Sequence, residues 1–275
     1  STRIETKSTT DPDCGLLKRT GKPGGFHYLL HQSADSKYGI ITDVHVTAGN
    51  VPDHMVCVDR IKAQMERYDL PIEEVGGDAG YDYIRVHAEL AQMGIAVYTP
   101  DRDQKDTVKK ETFTYRDFRF DRDTNTYLCP AGQRLSVMFY QRRHDNIARI
   151  YRCSVSVCQA CALREKCLTA SNRCRTLSRT MNVEYMDNNH LLIGSDRYRE
   201  IQMQRRVLCE GNHATLKREH CLRRAGKRGT RNVTEQCLLA ATALDIKKMI
   251  KYRRLPLAME GWAVIRLLAC EHFAA

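Results

Sequence analysis

The sequence predicts an α/β protein: a sheet of mixed direction flanked by helices and interrupted by a Cys-rich insertion. Three observations carry that expectation. Two runs of period-two alternation meet at a short polar turn near residue 35, the pattern of a hairpin. Short apolar runs then alternate with helical periodicity, which calls for strands joined by helices. Between residues 101 and 180 the periodicity weakens and cysteines crowd together.

Residues 1–25 carry turn chemistry in Thr9-Thr10-Asp11-Pro12-Asp13 and Gly21-Lys22-Pro23-Gly24-Gly25. The second stretch lacks the Gly-Lys-Ser/Thr ending of a phosphate loop. Phe26, Tyr28 and Leu30 then fall on one strand face, with His27 and His31 on the other. After Asp35-Ser36-Lys37, Ile40, Val44 and Val46 share a face opposite Asp43, His45 and Thr47. His27, His31 and His45 follow strand alternation, so they read as surface histidines rather than metal ligands. Asp53 stands as the N-cap of a helix whose apolar face is Val58, Ile61, Met65 and Tyr68. Glu74-Val75-Gly76-Gly77-Asp78 reads as a strand running into a glycine-rich end. Val86, Leu90 and Met93 mark the next helix, with Gly94 as its stop. Ile95 to Tyr98 is a short strand closed by Pro100. Helical periodicity returns from Tyr198 to Tyr252, broken at Gly226-Lys227-Arg228-Gly229. The expected parts are therefore a first sheet segment (1–100), a Cys-rich insertion (101–180), a basic helical segment (181–254) and a tail (255–275).

Composition narrows the function. The 275 residues are 42% hydrophobic and 28% charged, which excludes wholesale disorder and collagen-like architecture. No run of about 18 uninterrupted apolar residues is present, so no transmembrane helix is expected. The polar opening Ser1–Lys7 offers no secretory signal, and a cytosolic setting makes the twelve cysteines free thiols or metal ligands rather than a disulfide framework. The net charge is +11, and residues 197–254 hold sixteen Lys and Arg against five Asp and Glu. That one segment accounts for the whole excess. Such clustering points to a phosphate-binding face, with nucleic acid the first partner and an anionic membrane the second.

Three constellations carry candidate chemistry. Asp78, in Gly76-Gly77-Asp78-Ala79-Gly80-Tyr81, lies at the carboxyl end of a strand, where open α/β sheets place their sites. Its alternative is a plain turn aspartate. Glu210 sits seven residues before Lys217 and one turn after Arg206, on one helical face, as a metal ligand among cations or as an ordinary ion-pair partner. Two carboxylates beside a basic helix suit phosphoryl transfer on nucleic acid through Mg²⁺. Cys129, followed by Pro130-Ala131-Gly132, and Cys158-x2-Cys161-x5-Cys167 supply the four thiolates a structural Zn²⁺ takes. Cys153 and Cys174 are spare candidates, and buried free thiols or an iron–sulfur cluster are the alternatives. Cys14, Cys57, Cys209, Cys221, Cys237 and Cys270 are scattered and read as packing residues.

The chain resembles the DDE transposases of bacterial insertion sequences. The marks are Ser8-Thr9-Thr10-Asp11-Pro12-Asp13, Thr47 to Asp53, Gly77-Asp78-Ala79-Gly80-Tyr81, the Cys129 and Cys158/Cys161/Cys167 insertion, and Cys209-Glu210-Gly211 through Lys217-Arg218 with Arg223 to Gly229 behind it. The resemblance implies an RNase H-like fold and metal-dependent hydrolysis at insertion-sequence ends, followed by strand transfer into target DNA. Asp78 and Glu210 would be the second and third acidic ligands of Mg²⁺ or Mn²⁺. Lys217 would touch end DNA, and Arg206, Arg218, Arg223, Arg224, Lys227 and Arg228 would complete the DNA face. The partners implied are double-stranded DNA and a second copy in a synaptic dimer, in the bacterial cytoplasm at the nucleoid. In the family, the first acidic residue precedes the Ser-Thr-Thr-Asp-Pro-Asp segment. The expectation is therefore that this chain lacks that strand, with Asp11, Asp13 and Asp43 as weak substitutes. The rival functions are a non-catalytic DNA-binding derivative of such an enzyme and a zinc-ribbon RNA-binding module.

Overall fold

The computed structural model describes residues 6–18, 24–102, 112–143, 146–253 and, for the backbone, 265–274. The Gly21-Lys22-Pro23 stretch lies outside the described residues, as does the side chain of Cys270. The chain forms two compact units, one from residues 1–102 with 185–275 and the other from residues 103–184.

The first unit opens with β1 (Gly15–Leu17), β2 (Gly25–Asp35) and β3 (Ile41–Ala48). β2 pairs antiparallel with both β1 and β3. Asp35 makes the hairpin turn: its carboxylate accepts the N–H groups of Lys37 (2.9 Å), Tyr38 (2.7 Å) and Ile40 (2.5 Å), a side chain standing in for a backbone turn. Tyr28 and Leu30 pack with Val46 and, across from them, with Leu216, Val233 and Cys237. The opposite face of β2 is also covered. Ser33 accepts a hydrogen bond from Gln64 of α1 (Asp53–Tyr68), and His31 is buried against Thr47 at 2.8 Å. The expectation of a surface His31 is thus corrected: a helix lies over the face that alternation marked as polar.

Cys57, Val58 and Ile61 of α1 meet Val75, Val86, Leu90 and Val97 in one core. Those residues come from β4 (Glu74–Gly76), α2 (Ile84–Gln92) and β5 (Ala96–Tyr98). β4 and β5 pair in parallel, Val75 beside Val97, and their apolar runs suit a pair covered by helices.

The second unit is a sheet protein with its own core, not the weakly periodic segment its sequence suggests. β6 (Arg119–Asp121), β7 (Thr126–Leu128), β8 (Arg134–Arg143), β9 (Asn146–Arg152) and β10 (Thr176–Thr180) form an antiparallel sheet in the order β10-β9-β8-β7-β6. Two short helices, α3 (Val155–Gln159) and α4 (Arg164–Cys167), fill the β9–β10 connection. Phe118, Tyr127, Leu135, Tyr151 and Leu177 form the core together with Cys153, Cys158 and Cys174.

The chain then returns to the first unit through α5 (Val183–His190), α6 (Asp196–Arg205), a π turn (Arg206–Glu210), α7 (Gly211–Glu219) and α8 (Thr230–Arg253). The last element, β11 (Ile265–Ala274), falls in the stretch expected to be a tail. It pairs antiparallel with β2, from Ile265 beside Asp35 to Ala274 beside His27.

Candidate functional site

The β4–β5 ladder is extended by one bond, Gly77 N–H to Tyr98 C=O at 3.0 Å, and Asp78 follows where the chain leaves the sheet. Asp78 caps the single 3₁₀ turn Ala79–Tyr81, accepting the Gly80 N–H at 2.7 Å. A second carboxylate arrives from α1. A Cβ on Gly80 would stand 2.8 Å from Asp78 Oδ1 and 3.0 Å from Asp53 Oδ2, so the two carboxylates are neighbours across that glycine. Asp53 is buried, and His31 Nδ1 lies 4.0 Å from its Oδ1. The expected capping role of Asp53 is corrected as well. The N-cap of α1 is Pro52, no side-chain cap bond forms, and Asp53 is the first helical residue. A proline in the cap position cannot accept a hydrogen bond through its ring, which was the available signal that the next carboxylate serves elsewhere.

The neighbouring surface is aromatic and cationic. His54 stacks on Tyr83 with ring centroids 3.4 Å apart, and the Arg102 guanidinium lies 4.5 Å from the Tyr83 centroid. Burial, then the charges of Arg102 and Arg85, push the His54 imidazole down to about 4.

Glu210 ends the π turn, and its Oε1 accepts from Arg205 Nη2 at 2.8 Å. Arg205 Nε donates to Gln202 Oε1 at 3.0 Å. Gln202 Nε2 in turn donates to the carbonyls of Gly77 (3.2 Å) and Tyr98 (2.9 Å), at the ends of β4 and β5. A hydrogen-bonded chain of two side chains therefore runs from Glu210 to the residue before Asp78. It links the two expected ligands without closing a cluster. Among the described residues, no set of three metal-binding groups gathered within 4.8 Å contains either one. The ion pair of Glu210 is made with Arg205, five positions earlier, which the wide turn brings within reach.

The one set so gathered among the described residues is Asp82, His87 and His190. Asp82 Oδ1 accepts from His87 Nε2 (2.9 Å), His190 Nε2 (2.8 Å) and Thr99 Oγ1 (3.1 Å), and its Oδ2 accepts the Arg102 N–H (2.9 Å). Burial opposes ionisation of Asp82, but the bonds from His190, His87 and Arg102 outweigh it and hold the carboxyl well below its usual range. The same bond to Asp82 raises His190. Two imidazoles and a carboxylate could take a transition metal. As found, they form a satisfied polar clamp between α2, the end of β5 and α5. Sequence reasoning missed it because its members are far apart in the chain.

The cations expected to meet DNA lie on α7, the π turn and the α7–α8 connection. Arg206, Arg218, Arg223, Arg224, Lys227 and Arg228 are exposed and Lys217 is half-buried. Arg218 pairs with Glu219 (2.9 Å) and Lys227 with Glu235 (2.8 Å). Asp11 and Asp13 have a structural use here. Asp11 accepts from Tyr28 Oη (2.7 Å) and Gly229 N–H (3.3 Å), and Asp13 accepts the Thr230 N–H at the start of α8 (2.9 Å). They pin the end of the basic connection. Asp43 is held by Arg60, whose Nε donates to it at 2.8 Å. In the second unit Cys129, Cys158, Cys161 and Cys167 line one cavity.

Residues 128–250 match the family model described as a transposase DDE domain. That stretch, a little under half of the chain, is similar to a transposase DDE domain. The match takes in Glu210, the whole basic connection and every cysteine from Cys129 to Cys174; Asp78 precedes it. No curated protein and no solved structure matches the chain. A transposase DDE domain implies an RNase H-like fold, in keeping with the mixed α/β architecture. Among the described residues, no helix is long and apolar enough to cross a membrane.

Proposed function

We propose that this chain is a DNA transposase that hydrolyses phosphodiester bonds at insertion-sequence ends and transfers the freed strand to target DNA. The observation that carries the reading is the hydrogen-bonded chain from Glu210 through Arg205 and Gln202 to the strand end that bears Asp78. It ties the carboxylate inside the transposase-domain match to the carboxylate outside it.

The donor set fits a hard divalent cation. Asp78 and Asp53 face one another across Gly80 with carboxylate oxygens, the ligand type Mg²⁺ or Mn²⁺ takes together with substrate phosphates. When bound, the metal supplies Lewis-acid stabilisation of the attacking and leaving oxygens. Asp78 and Asp53 would hold it from the β4 exit and the start of α1. Arg205 fixes the direction of Glu210, the third carboxylate. Arg206, Arg218, Arg223, Arg224, Lys227 and Arg228, with Lys217, would grip the phosphates of end and target DNA. Two ends held together call for two copies, hence a homodimer at synapsis, working at the nucleoid.

A second reading, a DNA-binding protein without cleavage, draws on Glu210 itself, whose side chain is 44% exposed and is paired with Arg205 rather than with a metal-binding group. One experiment separates the two. Purified chain is incubated with duplex DNA carrying the termini of its source element, with Mg²⁺ or with EDTA. Nicking that requires Mg²⁺ and vanishes in Asp78→Asn supports the transposase. Binding that persists in EDTA, with no nicking in Mg²⁺, supports the second reading and overturns the first.

A further inference from the structure

The second unit has a small core and an unusual concentration of sulfur. Five thiols, those of Cys129, Cys153, Cys158, Cys161 and Cys167, line a single cavity whose remaining wall is largely apolar. They come from separate segments: the turn after β7, the end of β9, α3, the α3–α4 connection and the end of α4. The sixth cysteine of the unit, Cys174, lies outside that lining, and its Sγ accepts from Arg152 Nε at 2.9 Å.

Local backbone geometry distinguishes Cys129 from an ordinary packing residue. The turn after β7 is a closed loop. Cys129 N–H bonds the Gln133 carbonyl at 2.9 Å, Gly132 N–H bonds the Cys129 carbonyl at 2.8 Å, and Gln133 N–H points back to Cys129 Sγ at 3.3 Å. Gly132 is left-handed there, with φ +75°, a conformation glycine adopts without penalty. A closed turn that aims a backbone N–H at its own sulfur holds that sulfur in one direction. Arginine provides a second sign. Arg164 and Arg175 both line the cavity, and Arg164 Nη1 and Arg175 Nε are buried without a hydrogen-bond partner among the described residues. The other nitrogens hold the two cations in place at the cavity: Arg164 Nη2 donates to the Asn172 carbonyl (3.3 Å), and Arg175 Nη1 and Nη2 donate to the carbonyls of Cys167 (3.1 Å) and Phe113 (3.4 Å). Four thiolates around Zn²⁺ leave two net negative charges, which those cations would offset.

We propose that the thiolates of Cys129, Cys158, Cys161 and Cys167 bind a structural Zn²⁺. Cys153 lines the same cavity as a buried packing residue of the core. No three of the sulfurs lie mutually within 4.8 Å, so binding draws the turn after β7 and the two short helices together. That closure is how a metal adds stability to a unit with so few buried apolar residues.

The test uses the full chain, purified under reducing conditions without chelator, and reads metal content rather than DNA cleavage, so it stands or falls apart from the transposase reading. About one Zn²⁺ per chain is expected, and replacement by Co²⁺ should give the intense near-ultraviolet thiolate-to-metal band of a tetrahedral sulfur site. Cys161→Ser and Cys129→Ser should lose the metal, while Cys153→Ser and Cys174→Ser keep it. Circular dichroism identifies any variant that fails to fold, and the cobalt spectrum of the unmodified chain needs no variant. A chain that holds no zinc, holds iron instead, or keeps full zinc in folded Cys161→Ser overturns the proposal.

Discussion

Arg205 and Glu210 stand five residues apart and are ion-paired at 2.8 Å. In an α-helix five residues place two side chains on diverging faces; the π turn over Arg206–Glu210 brings them together. Arg205 is the better buried partner, with 13% of its side chain exposed, and it also bonds Gln202. If this pair orients Glu210, Arg205→Met should lower Mg²⁺-dependent nicking by roughly 10–100-fold, the range seen when a metal ligand is deprived of its supporting partner. Its effect on the melting temperature should be small, because Glu210 is too exposed for the pair to add much stability. Nicking rate and Tm, measured together, check both halves.

The two carboxylates beside Gly80 differ in their link to chemistry. Asp78→Asn should reduce nicking on the order of a thousandfold or more, since a ligated metal contributes several kcal/mol to transition-state stabilisation. Asp53→Asn should also reduce it, with the required Mg²⁺ concentration rising. Mg²⁺ titrations of both variants check this; an unchanged Asp53→Asn curve removes Asp53 from the site.

Gly80→Ala tests the same geometry from the backbone. A methyl group 2.8 Å from Asp78 Oδ1 and 3.0 Å from Asp53 Oδ2 must push one carboxylate aside. A stability loss of about 1–3 kcal/mol is expected, as for other overpacked sites, with activity falling as far as in Asp53→Asn. Denaturant melts and nicking assays measure the two effects.

The Asp82 clamp predicts a pH dependence. His190 is raised by its bond to Asp82, so its contribution is complete below its unfolded pKa of about 6.5 and is lost as pH climbs through the raised value. Asp82 is depressed, so its contribution is present above about 3.9 and is lost as pH falls toward the folded value. The clamp is therefore strongest between roughly pH 4 and 6.5. The Tm difference between the native chain and His190→Gln should be largest there and shrink above pH 7.

Much of the first unit was legible because its strands and helices keep their periods. Tyr28, Leu30 and Val46 alternate as a strand face should, and Val58 and Ile61 follow a helix. Asp78 could be found from a strand that ends in glycines. His31 could not, because alternation shows two faces but not that α1 covers the second. The π turn at Glu210 has no composition signature, so Arg205, five positions earlier, was not legible as its partner. In the second unit β8 exposes Met138, Phe139 and Tyr140 in succession, and Ile147 of β9 is exposed as well, so the apolar residues do not alternate and only the cysteine spacing stood out.

DNA affinity should depend on the α7–α8 connection. Replacing Arg223 and Arg224 with Gln should weaken binding at every sequence and lower the salt slope by about one for each phosphate no longer neutralised. Fluorescence anisotropy across a salt series checks it. Because Asp11 and Asp13 bond Gly229 and Thr230, Asp13→Ala should weaken binding as well, though it removes a negative charge.

The first unit is assembled from two stretches of chain separated by the second. Asp82 and His190 are 108 residues apart. At about 5–20 residues per second on the ribosome, the Asp82 carboxylate emerges roughly 5 to 20 s before its histidine partner. In that interval the β4–β5 pair is also without Gln202 at its terminal carbonyls. The nascent protein thus carries a half-built sheet while the sulfur-rich unit is being made. A reading frame broken within the excursion would release that exposed sheet and no clamp, so truncated products of this gene should be cleared or aggregate rather than persist as inhibitors.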